Sequence, residues 1–202
     1  KFDQAHQPYV DRLADFEKTQ LRLRFNRWEK DGGLANTPDT WLLLAPSELR
    51  SAGGTTFKAL PDGSHLATGK NVDFDSYTFI AETELNSITG FRLEALADPS
   101  MVRSGPGRAV NGNFDLTDLR LEAQSLKQGS TPQRLKLTNP RATFEQPSLF
   151  VRYAIDDNPK SGWAVDPQFG KDHAAVFQLE KPLSEQGGVK LTFTLFFNGN
   201  NK

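Results

Sequence analysis

Val189-Lys190-Leu191-Thr192-Phe193-Thr194-Leu195-Phe196-Phe197 alternates. Val189, Leu191, Phe193, Leu195 and Phe197 are apolar, and Lys190, Thr192 and Thr194 stand between them. A period of two sends successive side chains to opposite faces of a pleated strand, so this segment reads as a strand with one face in a core. The same texture recurs upstream: Phe91, Leu93 and Ala95 alternate with Arg92 and Glu94, and Tyr77, Phe79 and Ala81 with Thr78, Ile80 and Glu82. Extending the pattern predicts strands over Trp41 to Ala45, Thr55 to Leu60, Ser76 to Thr83, Phe91 to Leu96, Phe114 to Ala123, Arg134 to Leu137, Ala142 to Glu145, Leu149 to Tyr153, Ala174 to Leu179 and Val189 to Phe197. Gly, Pro, Asn and Asp fill the connections and no helical pattern interrupts them. The expected fold is mainly β, an antiparallel jelly-roll β-sandwich, preceded by an N-terminal α-helix.

That helix is read from Pro8 through Lys30, with proline in its first turn. Val10, Leu13, Ala14, Leu21, Phe25 and Trp28 fall on one face, and Tyr9, Phe16 and Leu23 form a second apolar patch, so two neighbours are expected. Asp31-Gly32-Gly33 ends it. The domain reading is a helix over 1–33, a linker over 34–40 containing Asn36 and Pro38, and a sandwich over 41–202.

Composition narrows the function. The 24 basic and 25 acidic side chains nearly balance, which argues against a nucleic-acid binder, since that class needs a basic excess or stripe. No apolar run approaches the roughly 20 residues of a membrane span. Cysteine is absent, so these residues offer no disulfide, thiolate metal site or covalent haem attachment. The chain starts at Lys1 and reads as an excised fragment.

Gly105-Pro106-Gly107-Arg108-Ala109-Val110-Asn111-Gly112-Asn113-Phe114 is a rigid, polar, glycine-rich loop running into a strand-like segment. Together with Ser51-Ala52-Gly53-Gly54-Thr55, Leu60-Pro61-Asp62-Gly63-Ser64, Asp75-Ser76-Tyr77-Thr78, Gly90 to Leu96, and Ala154-Ile155-Asp156-Asp157 followed by Gly162-Trp163-Ala164-Val165, it resembles one module. That module is the β-sandwich of large exported planctomycete-type multidomain proteins, between domains of unknown function and often downstream of a planctomycete cytochrome c domain. The resemblance runs from about Trp41 to the end. Asp156 to Trp163 also resembles the signature of discoidin and coagulation-factor type C domains, which implies a galactose-binding-like jelly roll. A final strand with a Gly-Arg-Phe-Arg-like motif is expected after Lys202 and is missing. The resemblance implies export to the periplasm, extracellular space or cell surface, and names no reaction.

Catalytic constellations are scarce. His6, His65 and His173 belong to no zinc-protease, nucleophile-elbow or phosphate-loop motif, and nothing selects a carboxylate pair, so the expectation is a non-enzyme. Glycan binding has more to draw on, because sugars take an aromatic face beside fixed polar groups. The candidates are Trp163 as platform with Asp156 nearby, Arg108, Asn111 and Asn113 on the loop, and Phe169 beyond it. Each has a structural alternative: Trp163 in the core, Arg108 in an internal salt bridge, for example with Asp98, and Phe169 as a plug. A structural Ca²⁺ is the expected cofactor, held by Asp156, Asp157 and Asn158, or by Glu94, Asp98 and Asn113, unless these residues only form Asx-turns. No haem is expected in the fragment. The leading reading is therefore a non-catalytic glycan-binding module. The alternative is a scaffold positioning flanking domains of the same polypeptide, with buried tryptophans and an exposed patch along Tyr9, Phe16 and Leu23.

Overall fold

The structure is a computed structural model. It describes residues 2–30 and 41–199, with side chains over 6–27 and 41–199. The expected stop at Asp31 to Gly33 and the 34–40 linker lie outside the described residues. Two compact units are present, Lys1–Leu42 and Leu43–Lys202.

In the second unit the chain is mainly β and its strands pair antiparallel. The strands are β1 (Glu48–Ser51), β2 (Thr55–Ala59), β3 (His65–Gly69), β4 (Asp75–Thr83), β5 (Ile88–Ala95), β6 (Asp118–Ser125), β7 (Gln133–Leu135), β8 (Leu137–Ala142), β9 (His173–Leu183) and β10 (Val189–Phe197). β10 is the centre of the larger sheet, ordered β1-β4-β10-β6-β7. Leu191 stands opposite Ala81 on one side and Ala123 on the other, and Leu195 opposite Tyr77 and Leu119. A second sheet runs β5-β9-β8, and β2 and β3 form a separate hairpin.

The alternation decides which face is covered. Val189, Leu191, Leu195 and Phe197 are buried, as are Ala175, Phe177 and Leu179 of β9. One core cluster unites Tyr77, Leu119, Leu195 and Phe197 of the larger sheet with Ala175 and Phe177 of the smaller, so the two sheets face each other across it. The hairpin closes one flank: Phe57 stands edge-on to Tyr77 with ring centroids 5.0 Å apart. Each such large apolar side chain contributes about 1.5–3 kcal/mol by leaving water.

Several expected strands are corrected. Trp41 to Ala45 is not a strand; Leu42 and Leu43 are exposed and only Leu44 packs on a core cluster. Leu149 to Tyr153 is not one either. Val151–Ile155 forms a 3-10 helix whose first N–H donates to the Glu145 carboxylate at 2.7 Å; its buried residues, Val151 and Ala154, are three apart as such a turn requires, although Leu149, Val151 and Tyr153 alternate like a strand. Ala142 to Glu145 lies mostly beyond β8, which ends at Ala142. Residues 114–117 precede β6: Leu116 is bridged to Trp163 outside the sheets, and Thr117 N–H donates to the Phe196 carbonyl of β10 at 2.8 Å.

The first unit is helical over Phe2–Lys30, as α1 (Phe2–Phe16), a π-helical stretch (Glu17–Leu21) and α2 (Arg22–Lys30). Pro8 lies inside α1 and not in its first turn; a proline there forgoes one backbone hydrogen bond, while its fixed φ still suits a helix. Within the π-helical stretch the Thr19 hydroxyl donates to the Asp15 carbonyl at 2.6 Å. That carbonyl is thereby satisfied by a side chain where the ordinary backbone ladder is shifted.

Candidate interaction site

The motif segments converge. Asp75 opens β4 and is buried. Its carboxylate accepts from the Ser51 hydroxyl at 2.8 and 2.9 Å, the Gly53 N–H at 2.6 Å, the Thr55 hydroxyl at 3.0 Å and the Ser76 N–H at 2.8 Å. Burial, the largest influence, raises its pKa, but the hydrogen bonds from Gly53, Ser51, Thr55 and Ser76 together outweigh it and hold the group below the ordinary carboxylate value. The same Thr55 receives Arg108 from the glycine-rich loop.

Arg108 does not reach Asp98. Its guanidinium donates to the Thr55 hydroxyl at 2.9 Å, the Lys70 carbonyl at 3.1 Å and the Gly69 carbonyl at 2.8 Å, while the Asn71 amide donates to the Arg108 carbonyl at 2.8 Å. Arginine suits this work because its planar fork holds several acceptors in one geometry. Asn113 lies on the other side of the loop and is buried. Its side-chain oxygen accepts from Val165 N–H at 3.0 Å and its NH₂ donates to Gln146 at 3.0 Å. Asn111 accepts from the Asn113 N–H at 3.1 Å.

The glycines have specific jobs. A Cβ at Gly107 would overlap the backbone carbonyl of Asn113, so only glycine allows the loop to fold back on itself there. Gly112 has φ +87° and would meet the Val102 carbonyl. Gly107 N–H donates to Gly112 O at 3.0 Å and Ala109 N–H to Asn113 O at 3.1 Å.

Of the expected ligand-binding residues, Trp163 is corrected most sharply. It is 0% exposed, packs edge-on to Phe114 with centroids 4.9 Å apart, and donates its indole N–H to the Phe144 carbonyl at 2.9 Å. A sugar cannot stack on it. Phe169 is half-buried, with the Arg103 guanidinium 4.2 Å from its ring centre. His173 is buried, its Nε2 2.9 Å from the Gln168 carbonyl and its Nδ1 3.4 Å from the Thr143 hydroxyl.

The residues expected to hold calcium go to separate partners. Asp156 accepts from the Asn158 N–H at 2.9 Å and the Ser161 hydroxyl at 2.9 Å, and Asn158 accepts from the Lys160 N–H at 3.1 Å, which are turn contacts. Asp157 pairs with Arg134 at 2.6 Å and lies 3.8 Å from Arg120; the Arg134 hydrogen bond comes first in lowering its pKa. Glu94 pairs with Arg92 at 2.7 Å, and Asp98 accepts from the Ser100 N–H at 2.8 Å, so neither joins Asn113. Among the described residues, no three His, Cys, Asp or Glu side chains gather to hold a metal ion.

Sequence reasoning missed three features. Phe74 is 57% exposed and Val110 is 97% exposed, on the two loops that Asn71 and Arg108 tie together. Nothing in a period-two pattern separates an exposed loop aromatic from a core one. The third is Asp115. Glycines at 162 and 199 make room for its carboxylate, since a side chain at either would overlap it, and its Oδ1 is buried with no hydrogen-bond partner among the described residues. Burial raises its pKa to about 6. The sequence signal was an acid inside the apolar run Phe114 to Leu116.

Two shallow clefts of about 260 and 340 Å³ adjoin Ser125 and Ser130. Each has a single carboxylate in its lining, Glu82 in one and Glu185 in the other, so neither has the acid pair a glycosidase requires.

No family model, curated protein or solved structure matches the chain.

Proposed function

We propose that this is a non-catalytic interaction module of a larger exported polypeptide: a jelly-roll sandwich whose loop motifs maintain the fold, with a helix that docks on protein. The observation that carries the reading is the contrast in exposure. Tyr9 is 67%, Leu13 58%, Leu21 50% and Phe25 55% exposed, whereas Trp163 is fully buried. Large apolar side chains aligned on a helix and left in water mark an interaction surface. Flanking domains of the same polypeptide, a planctomycete-type parent and a periplasmic or extracellular setting belong to this proposal through the family resemblance. The order β1-β4-β10-β6-β7, with the last strand between the fourth and sixth, supports the jelly-roll connectivity.

Glycan binding is the second reading, and Phe74 favours it. An exposed aromatic next to Asp73 offers a ring face beside a carboxylate. A glycan array probed with the folded chain, with and without calcium, separates the two. The interaction reading expects silence. Saturable binding to a defined glycan that Phe74→Ala abolishes would overturn it.

A further inference from the structure

The π-helical stretch changes which side chains share a face. Tyr9, Leu13 and Phe16 follow helical spacing, and an uninterrupted α-helix would carry their face on to positions 20, 24 and 27, which are Gln20, Arg24 and Arg27. A π turn takes up about one more residue than an α turn, so the face after Glu17–Leu21 advances by about one position. It then continues on Leu21 and Phe25. The two patches read from sequence become one stripe of Tyr9, Leu13, Phe16, Leu21 and Phe25, and Leu23 is left off it. Tyr9, Leu13, Leu21 and Phe25 are all exposed. Trp28 lies outside the residues whose side chains are described.

Two features of this stripe select its occupant. Its apolar positions are symmetric about residue 17: Tyr9 mirrors Phe25, and Leu13 mirrors Leu21. The charges are also opposed end to end. Asp11, Asp15 and Glu17 outnumber Arg12 in the first half, while Lys18, Arg22, Arg24 and Arg27 fill the second. An antiparallel pair of identical helices sets Tyr9 against the partner's Phe25 and Leu13 against the partner's Leu21. It also lays each acidic half along a basic half, whereas a parallel pair stacks like charges. A twofold interface needs this kind of self-complementarity.

We infer that the helix binds a second copy of this chain, antiparallel, through the Tyr9–Leu13–Phe16–Leu21–Phe25 stripe. This rests on the interaction reading and names its partner. Sedimentation equilibrium of the chain should show a monomer–dimer equilibrium that weakens with added salt. Leu13→Glu with Leu21→Glu should give a monomer at every concentration. Because that pair could unwind the helix, Asp15→Lys with Glu17→Lys serves as the second variant; it leaves the stripe intact and should weaken the dimer at least tenfold at low salt. The chain has no cysteine, so a spin label at Gln7→Cys reports orientation directly. Antiparallel pairing places the two labelled positions about 30 Å apart along the axis, at about 1.5 Å per residue; parallel pairing places them about 10 Å apart. A chain that stays monomeric at all concentrations overturns the inference. If its helix amides are then protected only in the longer polypeptide, the partner is a flanking domain and the interaction reading stands; if they are protected in neither, both fall. A short label distance overturns the antiparallel arrangement.

Discussion

In the 105–113 loop the polar side chains are bonded within their own unit, whereas along residues 9–25 most of the large apolar side chains are exposed, with Phe16 half-buried. Arg108, Asn111 and Asn113 all make hydrogen bonds inside the second unit, and Asp75 gathers donors from Ser51, Gly53, Thr55 and Ser76. Tyr9, Leu13, Leu21 and Phe25 are exposed in contrast. A conspicuous polar motif can therefore be architecture, and an ordinary-looking amphipathic helix can be the surface that meets a partner. Buried polar groups must be satisfied, so a loop rich in them and folded on itself uses its own chemistry up.

The largest expected effect is on the core. Trp163→Ala should lower stability by about 4 kcal/mol, through the cavity and the lost indole hydrogen bond. Denaturant unfolding measures it, and a change below about 1 kcal/mol would put Trp163 outside the core.

Asp75→Asn comes next. It replaces an acceptor of four groups with an amide that cannot accept from all of them, at about 2–3 kcal/mol at neutral pH. The native pKa is lowered, so this stability is present above the ordinary carboxylate pKa and is lost as pH falls through the native value. The gap between wild type and variant should therefore shrink in acid. An equal gap at pH 7 and in strong acid would show that the carboxylate charge is not what the network holds.

Asp115 should behave in the opposite sense. Its native pKa is raised to about 6, so the folded state keeps a proton that the unfolded chain gives up near pH 4. Stability should decline as pH rises from about 4 to 6 and level off above that. The size is about 1 kcal/mol, since the side chain is partly exposed and solvent screens it. Asp115→Asn should flatten this part of the profile, and an unchanged slope would assign it to another group.

The smallest effect is expected on the helix. Leu23→Glu should leave the unfolding of the second unit within about 0.5 kcal/mol of wild type, because an exposed side chain off the apolar stripe makes little packing contribution. A loss above about 2 kcal/mol would mean Leu23 is covered.

Legibility in the sequence followed how local the cause was. β10 was readable to the residue because its alternation runs unbroken from Val189 to Leu195 and that face packs into the core. β1, Glu-Leu-Arg-Ser, is too short to show a period, and its place comes from pairing with β4. The 151–155 turn has strand-like spacing and is set by Glu145, several residues away in sequence. For the candidate site, the motif segments were visible and the alternative of a buried Trp163 was open, but the partners were not. Arg108 meets Thr55, more than fifty residues upstream. The π-helical stretch left no sequence signal, because an apolar stripe that shifts by one residue looks like two patches until the backbone is known.

Amide hydrogen exchange on the intact chain, followed at low and high protein concentration, tests the contrast between loop and helix most directly. Gly107, Ala109, Gly112 and Asn113 should exchange slowly at every concentration, since each N–H is bonded within the loop. The amides of 9–25 should exchange fast in dilute solution and slow as concentration rises. A fast-exchanging loop beside a helix equally protected at all concentrations would contradict it.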